Sequence, residues 1–285
     1  MTFFALLTKE LRLRLRRERT IWVMIVYILL MGLIGWLTLL SSQSNPSTYN
    51  TGNTYNSVGY VLYTILIFLQ LLLVLFVTPA FTANTINGEK ERQTFDLLLC
   101  SRLKSRDLVI GKLLAGLTNT FILVAASIPV FSLVFFFGGV APVQIFYAFL
   151  VIVVSALLSG TLGLLCSIIF PRPALSTAIV YMLTLFWLLA PALLAVLFRL
   201  ASNGSSSSIW LIWNPAFALT STYNSIPSYS FGQFSMVPWL FYSLISLLIT
   251  GIFLALSIFF VKPNGHLRIR TGSVRKSETP ATTIA

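Results

Sequence analysis

Six long apolar runs, each free of Asp, Glu, Lys, Arg and His, alternate along the chain with short polar or charged segments. They cover residues 21–40, 58–81, 113–137, 143–170, 175–198 and 236–261. At about 1.5 Å of rise per residue, each is long enough to cross the ~30 Å hydrocarbon core of a bilayer as a helix. Pro129 and Pro191 fall inside the third and fifth runs, which a membrane helix tolerates when its neighbours re-satisfy the freed carbonyls. Residues 41–57 are rich in Ser, Asn, Thr and Tyr and read as a loop. Gly138, Gly139, Val140, Ala141 and Pro142 make so short a connection that the third and fourth runs are expected to be antiparallel neighbours. The pattern predicts an all-α membrane protein of six transmembrane helices, with one membrane domain over 1–261. The basic polar tail, 262–285, lacks apolar periodicity and is expected to be mostly disordered.

Two segments depart from this pattern. In residues 1–20, Phe4, Leu7, Leu11 and Leu15 have helical spacing among Lys9, Arg12, Arg14, Arg16, Arg17 and Arg19. An amphipathic interfacial helix follows, its apolar stripe on the membrane and its guanidinium groups on lipid phosphates. The Leu-Arg alternation also fits a strand, but a lone strand at a bilayer surface leaves backbone groups unpaired. A signal peptide is disfavoured, because the apolar run that follows is too long and lacks a small-x-small cleavage site. The second departure is Ile209–Leu219, an apolar segment too short to cross a bilayer, so it is expected to be interfacial or re-entrant.

Composition narrows the function. Only 9 % of the 285 residues are charged and 57 % are hydrophobic, with mean hydropathy +0.90, whereas a soluble domain carries about 25 % charged residues. The net charge of +12 is explained by placement: all of the 19 Lys and Arg residues except Arg199, and all seven acidic residues, fall on one face of a six-span topology. That face is expected to be cytoplasmic, with both termini on it and the chain in the cell membrane. Basic residues split among span-flanking segments, without a recognition motif, argue against nucleic acid as a partner. An ion-coupled carrier keeps mid-membrane charges despite an insertion cost of ~2.5–3.5 kcal/mol each, and these runs hold none. Intramembrane metallo- and aspartyl proteases are disfavoured likewise. Cys100, Cys166 and the lone His266 show no metal-ligand spacing. No phosphate-binding Gly-x-x-x-x-Gly-Lys-Ser/Thr loop occurs, so the chain is not expected to be an enzyme, and any ATP it uses is bound elsewhere.

The stretch Asn84–Lys112 holds Glu89, Glu91, Asp96 and Asp107, four of the seven acidic residues. Apolar Phe95, Leu97, Leu98 and Leu99 ringed by both signs of charge suit docking to a soluble protein, against the plainer reading of a solvated loop. Asn87-Gly88 is expected to end the second helix with a left-handed residue, Ser105 to cap the third with Asp107 in its first turn, and Arg92–Cys100 to form a short transverse helix. The sequence Gly88-Glu89-Lys90-Glu91-Arg92-Gln93-Thr94-Phe95-Asp96-Leu97-Leu98-Leu99, followed by Leu103, Ser105-Arg106-Asp107-Leu108-Val109 and Gly111-Lys112, resembles the segment between spans two and three of ABC-2 type transporter permeases. Lys9-Glu10-Leu11, the six spans and Asn214-Pro215-Ala216-Phe217-Ala218-Leu219 extend the resemblance over the chain. Gln93 and Arg102 depart from it, where the pattern usually has Gly and often Pro.

The resemblance implies a permease subunit of an ATP-binding cassette exporter. The 84–112 segment would contain a cytoplasmic coupling helix seated in a separate ATPase subunit, and Glu89, Glu91, Arg92, Thr94, Phe95, Asp96 and Leu97 would carry the force. Two permease copies, as a homodimer or heterodimer, would form the path, with ATP and Mg in the partner and no cofactor in this chain. A membrane scaffold or sensor that recruits a soluble partner, and a channel, are the alternative classes.

Trp210, Trp213, Phe217, Tyr223, Tyr229, Phe231, Phe234 and Trp239 read as an interfacial aromatic belt rather than a lipid or glycan site. Gln70 and Asn119 are expected to make interhelical hydrogen bonds. Asn203-Gly204-Ser205 is a sequon on the outer face.

Overall fold

The computed structural model describes residues 18–44, 58–91, 105–137, 140–201, 209–223, 229–231 and 234–261. In order, these form α1 (Glu18–Ser44), α2 (Val58–Thr82), α3 (Asn87–Glu91), α4 (Ser105–Phe137), α5 (Pro142–Ile169), α6 (Pro173–Ala201), a 3-10 helix (Ile209–Trp213), α7 (Pro215–Tyr223), strands β1 (Tyr229–Phe231) and β2 (Phe234–Met236), and α8 (Pro238–Val261). The expected N-terminal interfacial helix, the transverse helix Arg92–Cys100, the sequon and the tail lie outside the described residues.

Among the described residues, six helices are long and apolar enough to cross a membrane: α1, α2, α4, α5, α6 and α8. Pro142, Pro173, Pro215 and Pro238 each open a helix, since a first-turn N–H has no intrahelical acceptor and proline presets φ. At α5 the Gln144 side chain also accepts the Ala141 N–H at 2.9 Å. Met236, expected to begin the last span, instead ends β2, and α8 starts at Pro238. The strands form an antiparallel hairpin pairing Tyr229 with Met236 and Phe231 with Phe234, an addition to the expected all-helical architecture. Tyr-Ser-Phe and Phe-Ser-Met around Gly232-Gln233 carry its signal, because a two-residue hairpin connection favours glycine at its first position.

α5 is the most enclosed helix and α6 the least. α5 packs on α8 and α2, α2 on α4, and α1 on α2 and α4. Leu62, Leu66, Ile67, Phe131, Ala148 and Ile152 fill the interior, while Trp22, Leu29 and Trp36 of α1 and Met182, Phe186 and Leu193 of α6 face outward. So large an exposed apolar surface fits lipid, not water. Polar ties cross the interior. Tyr27 donates to Gln70, as expected of Gln70, Thr78 and Thr120 hydroxyls lie 3.2 Å apart, and Ser155 meets the Tyr242 hydroxyl at 2.8 Å. Asn119 is buried, and its side-chain oxygen has no partner among the described residues.

The segment 209–223 packs against α5, α6, α8 and α2. Asn214 caps α7 by accepting the Ala216 N–H at 2.9 Å, and its amide donates to the Leu188 carbonyl of α6 at 3.0 Å. Leu188 lies about 22 Å along α6 from Pro173 at ~1.5 Å per residue, so α6 flanks this segment. Tyr63 of α2 meets Thr222 at 3.1 Å, and the Tyr60 and Tyr223 rings lie 4.3 Å apart. Trp239 stacks on Tyr147 at 4.5 Å while Trp213 is half exposed, as suits an aromatic band at this end. Asn214→Ala is expected to lower stability by about 1–2 kcal/mol, from the lost cap and the orphaned Ala216 donor. Denaturant titration in mixed micelles reads this, and an unchanged midpoint refutes it.

Candidate functional site

The charged end of the bundle is built from the last turns of α2 outward. Thr78, Thr82 and Thr85 each turn a hydroxyl back onto a carbonyl of the preceding turn: Thr78 to Val74 at 2.7 Å, Thr82 to Thr78 at 2.9 Å, and Thr85 to Thr82 at 2.7 Å. Such back-bonding competes with the helical ladder. α2 stops at Thr82, and residues 83–86 form a turn that leads into α3. The expected helix end at Asn87-Gly88 is therefore corrected. Asn87 opens a short helix, Gly88 is not left-handed, and the Gly88 N–H bonds Asn84 O at 3.2 Å.

Three other helices hold this turn. Ser167, in the last turn of α5, accepts the N–H groups of Ile86 and Asn87 at 3.0 and 3.1 Å. Ser176 of α6 donates to Ala83 O at 3.2 Å. Lys90 reaches Ile168 O, near the end of α5, at 2.6 Å. From α4, Lys112 forms an ion pair with Glu89 and lies 3.5 Å from Thr85 O. Its side chain is only 2 % exposed, against 25 % for Glu89.

Backbones approach closely here. A Cβ on Gly163 of α5 would lie 2.2 Å from Thr82 Oγ1, and one on Gly116 of α4 would lie 2.8 Å from Thr82 Cγ2. Small residues let helices meet in this way where lipid supplies no hydrophobic drive.

Of the expected coupling residues, Glu89 and Glu91 fall on α3, Glu89 braced by Lys112 and Glu91 exposed. Arg92, Thr94, Phe95, Asp96 and Leu97 lie outside the described residues. α4 opens with Ser105 as its first helical residue, one place inside the cap position expected for it, while Asp107 lies in its first turn as predicted. Exposed Arg106 and Arg172 add charge at the same end. The sequence reading named Lys90 and Lys112 only as parts of the charged motif and missed their inward ties, and it missed Ser167 and Ser176 altogether. The start at Ser105 was the available signal for Lys112, because it puts Lys112 about two turns inside a helix. Asn87 is fully buried, and its side-chain amide has no partner among the described residues. Cys166 is a buried free thiol, and no three His, Cys, Asp or Glu side chains converge among the described residues. What these side chains offer is a set of mechanical ties between the charged turn-and-helix segment 83–91 and three membrane helices.

No curated protein matches the chain. A family model described as ABC-2 family transporter protein matches residues 37–260, a range that takes in everything described from the end of α1 nearly to the end of α8. Six apolar helices and a match over most of its length make this chain a multi-pass membrane protein of the ABC-2 transporter family, the permease part of an ABC transporter rather than a catalytic subunit.

Proposed function

We propose that the chain is the permease of an ATP-driven exporter, worked by a separate ATPase subunit that docks on residues 84–112. The observation that carries the reading is the attachment of α3. A short charged helix, half-buried but for exposed Glu91, is bonded to Ser167 and Ile168 of α5 and, through Lys112, to α4. A solvated loop has no need of such ties. Glu89, Glu91, Arg92, Thr94, Phe95, Asp96 and Leu97 form the contact and carry force, with Glu89 also braced from within. ATP and Mg are bound by the partner.

Two copies of the chain pair, as a homodimer or with a related permease, and the substrate path runs between them. The charged end and both termini face the cytoplasm of a cell whose plasma membrane holds the complex, a placement supported by the one-sided distribution of Lys and Arg. Export is the direction that the resemblance of residues 88–112 to ABC-2 type permeases implies.

Reversing two charges, Glu91→Lys with Asp96→Lys, is expected to cut co-purification of the ATPase at least about tenfold, or ~1.4 kcal/mol, and to abolish ATP-driven transport. Unchanged co-purification and transport would falsify the docking site.

A further inference from the structure

The ties at the charged end come from different helices and meet on one short stretch of backbone. Ser167 of α5 holds two consecutive main-chain donors, Ile86 and Asn87. Lys112 of α4 holds Glu89 and approaches Thr85 O. Beside them, Thr82 occupies the space that side chains at Gly116 and Gly163 would need, so α2, α4 and α5 interlock at that level. α6 is attached differently. It is the least enclosed span, tied to this region through Ser176 to Ala83 O and, further along, through Tyr181 to Phe76 O at 3.0 Å.

We infer that Ser167 and Lys112 are positioning residues that make residues 83–91 one rigid body with the charged ends of α4 and α5, so that a push on α3 moves α2, α4 and α5 together. The inference rests on the docking reading above. Buried N–H groups that lose their acceptor have no water to turn to, so Ser167 resists any motion of the turn relative to α5. Ser167 itself is fully buried and lies off the docking surface. It acts through the geometry of the turn and not through contact with a partner.

The test uses the full chain in lipid nanodiscs, as wild type, Ser167→Ala and Ser167→Thr. Ser167→Ala removes the acceptor, while Ser167→Thr keeps an oxygen there. Amide exchange at Ile86 and Asn87 is expected to rise about tenfold or more in Ser167→Ala and to stay within about twofold of wild type in Ser167→Thr. Equal exchange in wild type and Ser167→Ala overturns the clamp.

A second arm adds the ATPase subunit that co-purifies with the wild-type chain, trapped with ATP and vanadate. Ser167→Ala is expected to retain the ATPase but to lose at least half of the nucleotide-dependent exchange change across α2 and α5, with rescue by Ser167→Thr. A full nucleotide response in Ser167→Ala overturns the positioning role. If no ATPase binds wild type, the docking reading falls and this role falls with it, while the first arm still reports separately whether the clamp exists.

Discussion

Glu89→Gln is expected to destabilise the folded chain by about 3 kcal/mol, near the lower end of the cost of breaking a buried ion pair from one side. The reason lies with its partner. Lys112 is 2 % exposed inside the bundle, and losing Glu89 takes an ion-pair partner from a charge already shielded from water. The nearby Thr85 carbonyl, at 3.5 Å, offsets part of that loss, which keeps the estimate from the upper end. Removing both charges together is a different case, because a buried pair is often replaceable by apolar residues at little cost. The double variant Glu89→Gln with Lys112→Met is therefore expected within about 1 kcal/mol of wild type. Reversible denaturation in mixed micelles, run as a double-mutant cycle, decides the matter. A double variant as unstable as Glu89→Gln alone would show that the pair is not what holds α3 to α4.

The second large effect is at Gly163. An added methyl group meets Thr82 Oγ1 at 2.2 Å, with Thr82 Cβ at 3.2 Å and the Ala83 N at 3.4 Å. Thr82 is fully buried against α4 and its hydroxyl is held by the Thr78 carbonyl at 2.9 Å, which leaves it little room to retreat. Gly163→Ala is expected to cost about 1–3 kcal/mol through overpacking, and Gly163→Leu to prevent assembly of α2 against α5. Gly251 in α8 is the control, with nothing within 4 Å of its added Cβ. There Gly251→Ala is expected to be neutral, or to stabilise by up to about 1 kcal/mol through helix propensity. Thermal unfolding of the three variants side by side measures the difference, and equal midpoints for Gly163→Ala and Gly251→Ala would refute the close approach.

These two sites share an origin. Thr82 is where α2 stops, where Gly116 and Gly163 come closest, and where the turn to α3 begins. Packing at the charged end thus sets the direction in which the segment after α2 leaves the bundle. On the proposed docking of an ATPase at residues 84–112, that direction would govern how the ATPase acts on the membrane helices.

Some of this was legible beforehand, and particular residues show why. The spans follow from local constraints, since in lipid every backbone group must be satisfied within its own helix, and a charge-free run then reveals itself without reference to anything distant. Asp107 in the first turn of α4 was readable for the same reason, because a charge acts on the helix dipole within one turn. The hairpin Tyr229–Met236 was readable from its flanking pattern, but Tyr229, Phe231 and Phe234 read as an aromatic belt and Met236 as the start of the last apolar run. Asn87-Gly88 misled because glycine after a helix usually marks its end. Back-bonding by Thr82 and Thr85 and the acceptor at Ser167 had already turned the chain.

By itself, then, the sequence determined six membrane-crossing helices, one end rich in Lys and Arg, and a charged segment between the second and third spans. Those properties depend on runs of neighbouring residues and on their solvent. Only the tertiary structure decided which side chains hold that segment. Ser167 lies 80 and 81 positions from the amides it binds, Lys112 lies 23 from Glu89, and Asn214 lies 26 from Leu188. No local propensity links residues so far apart. At the charged end they meet because Gly116 and Gly163 let α2, α4 and α5 pack closely, and at both ends polar groups closed off from water must find partners in one another.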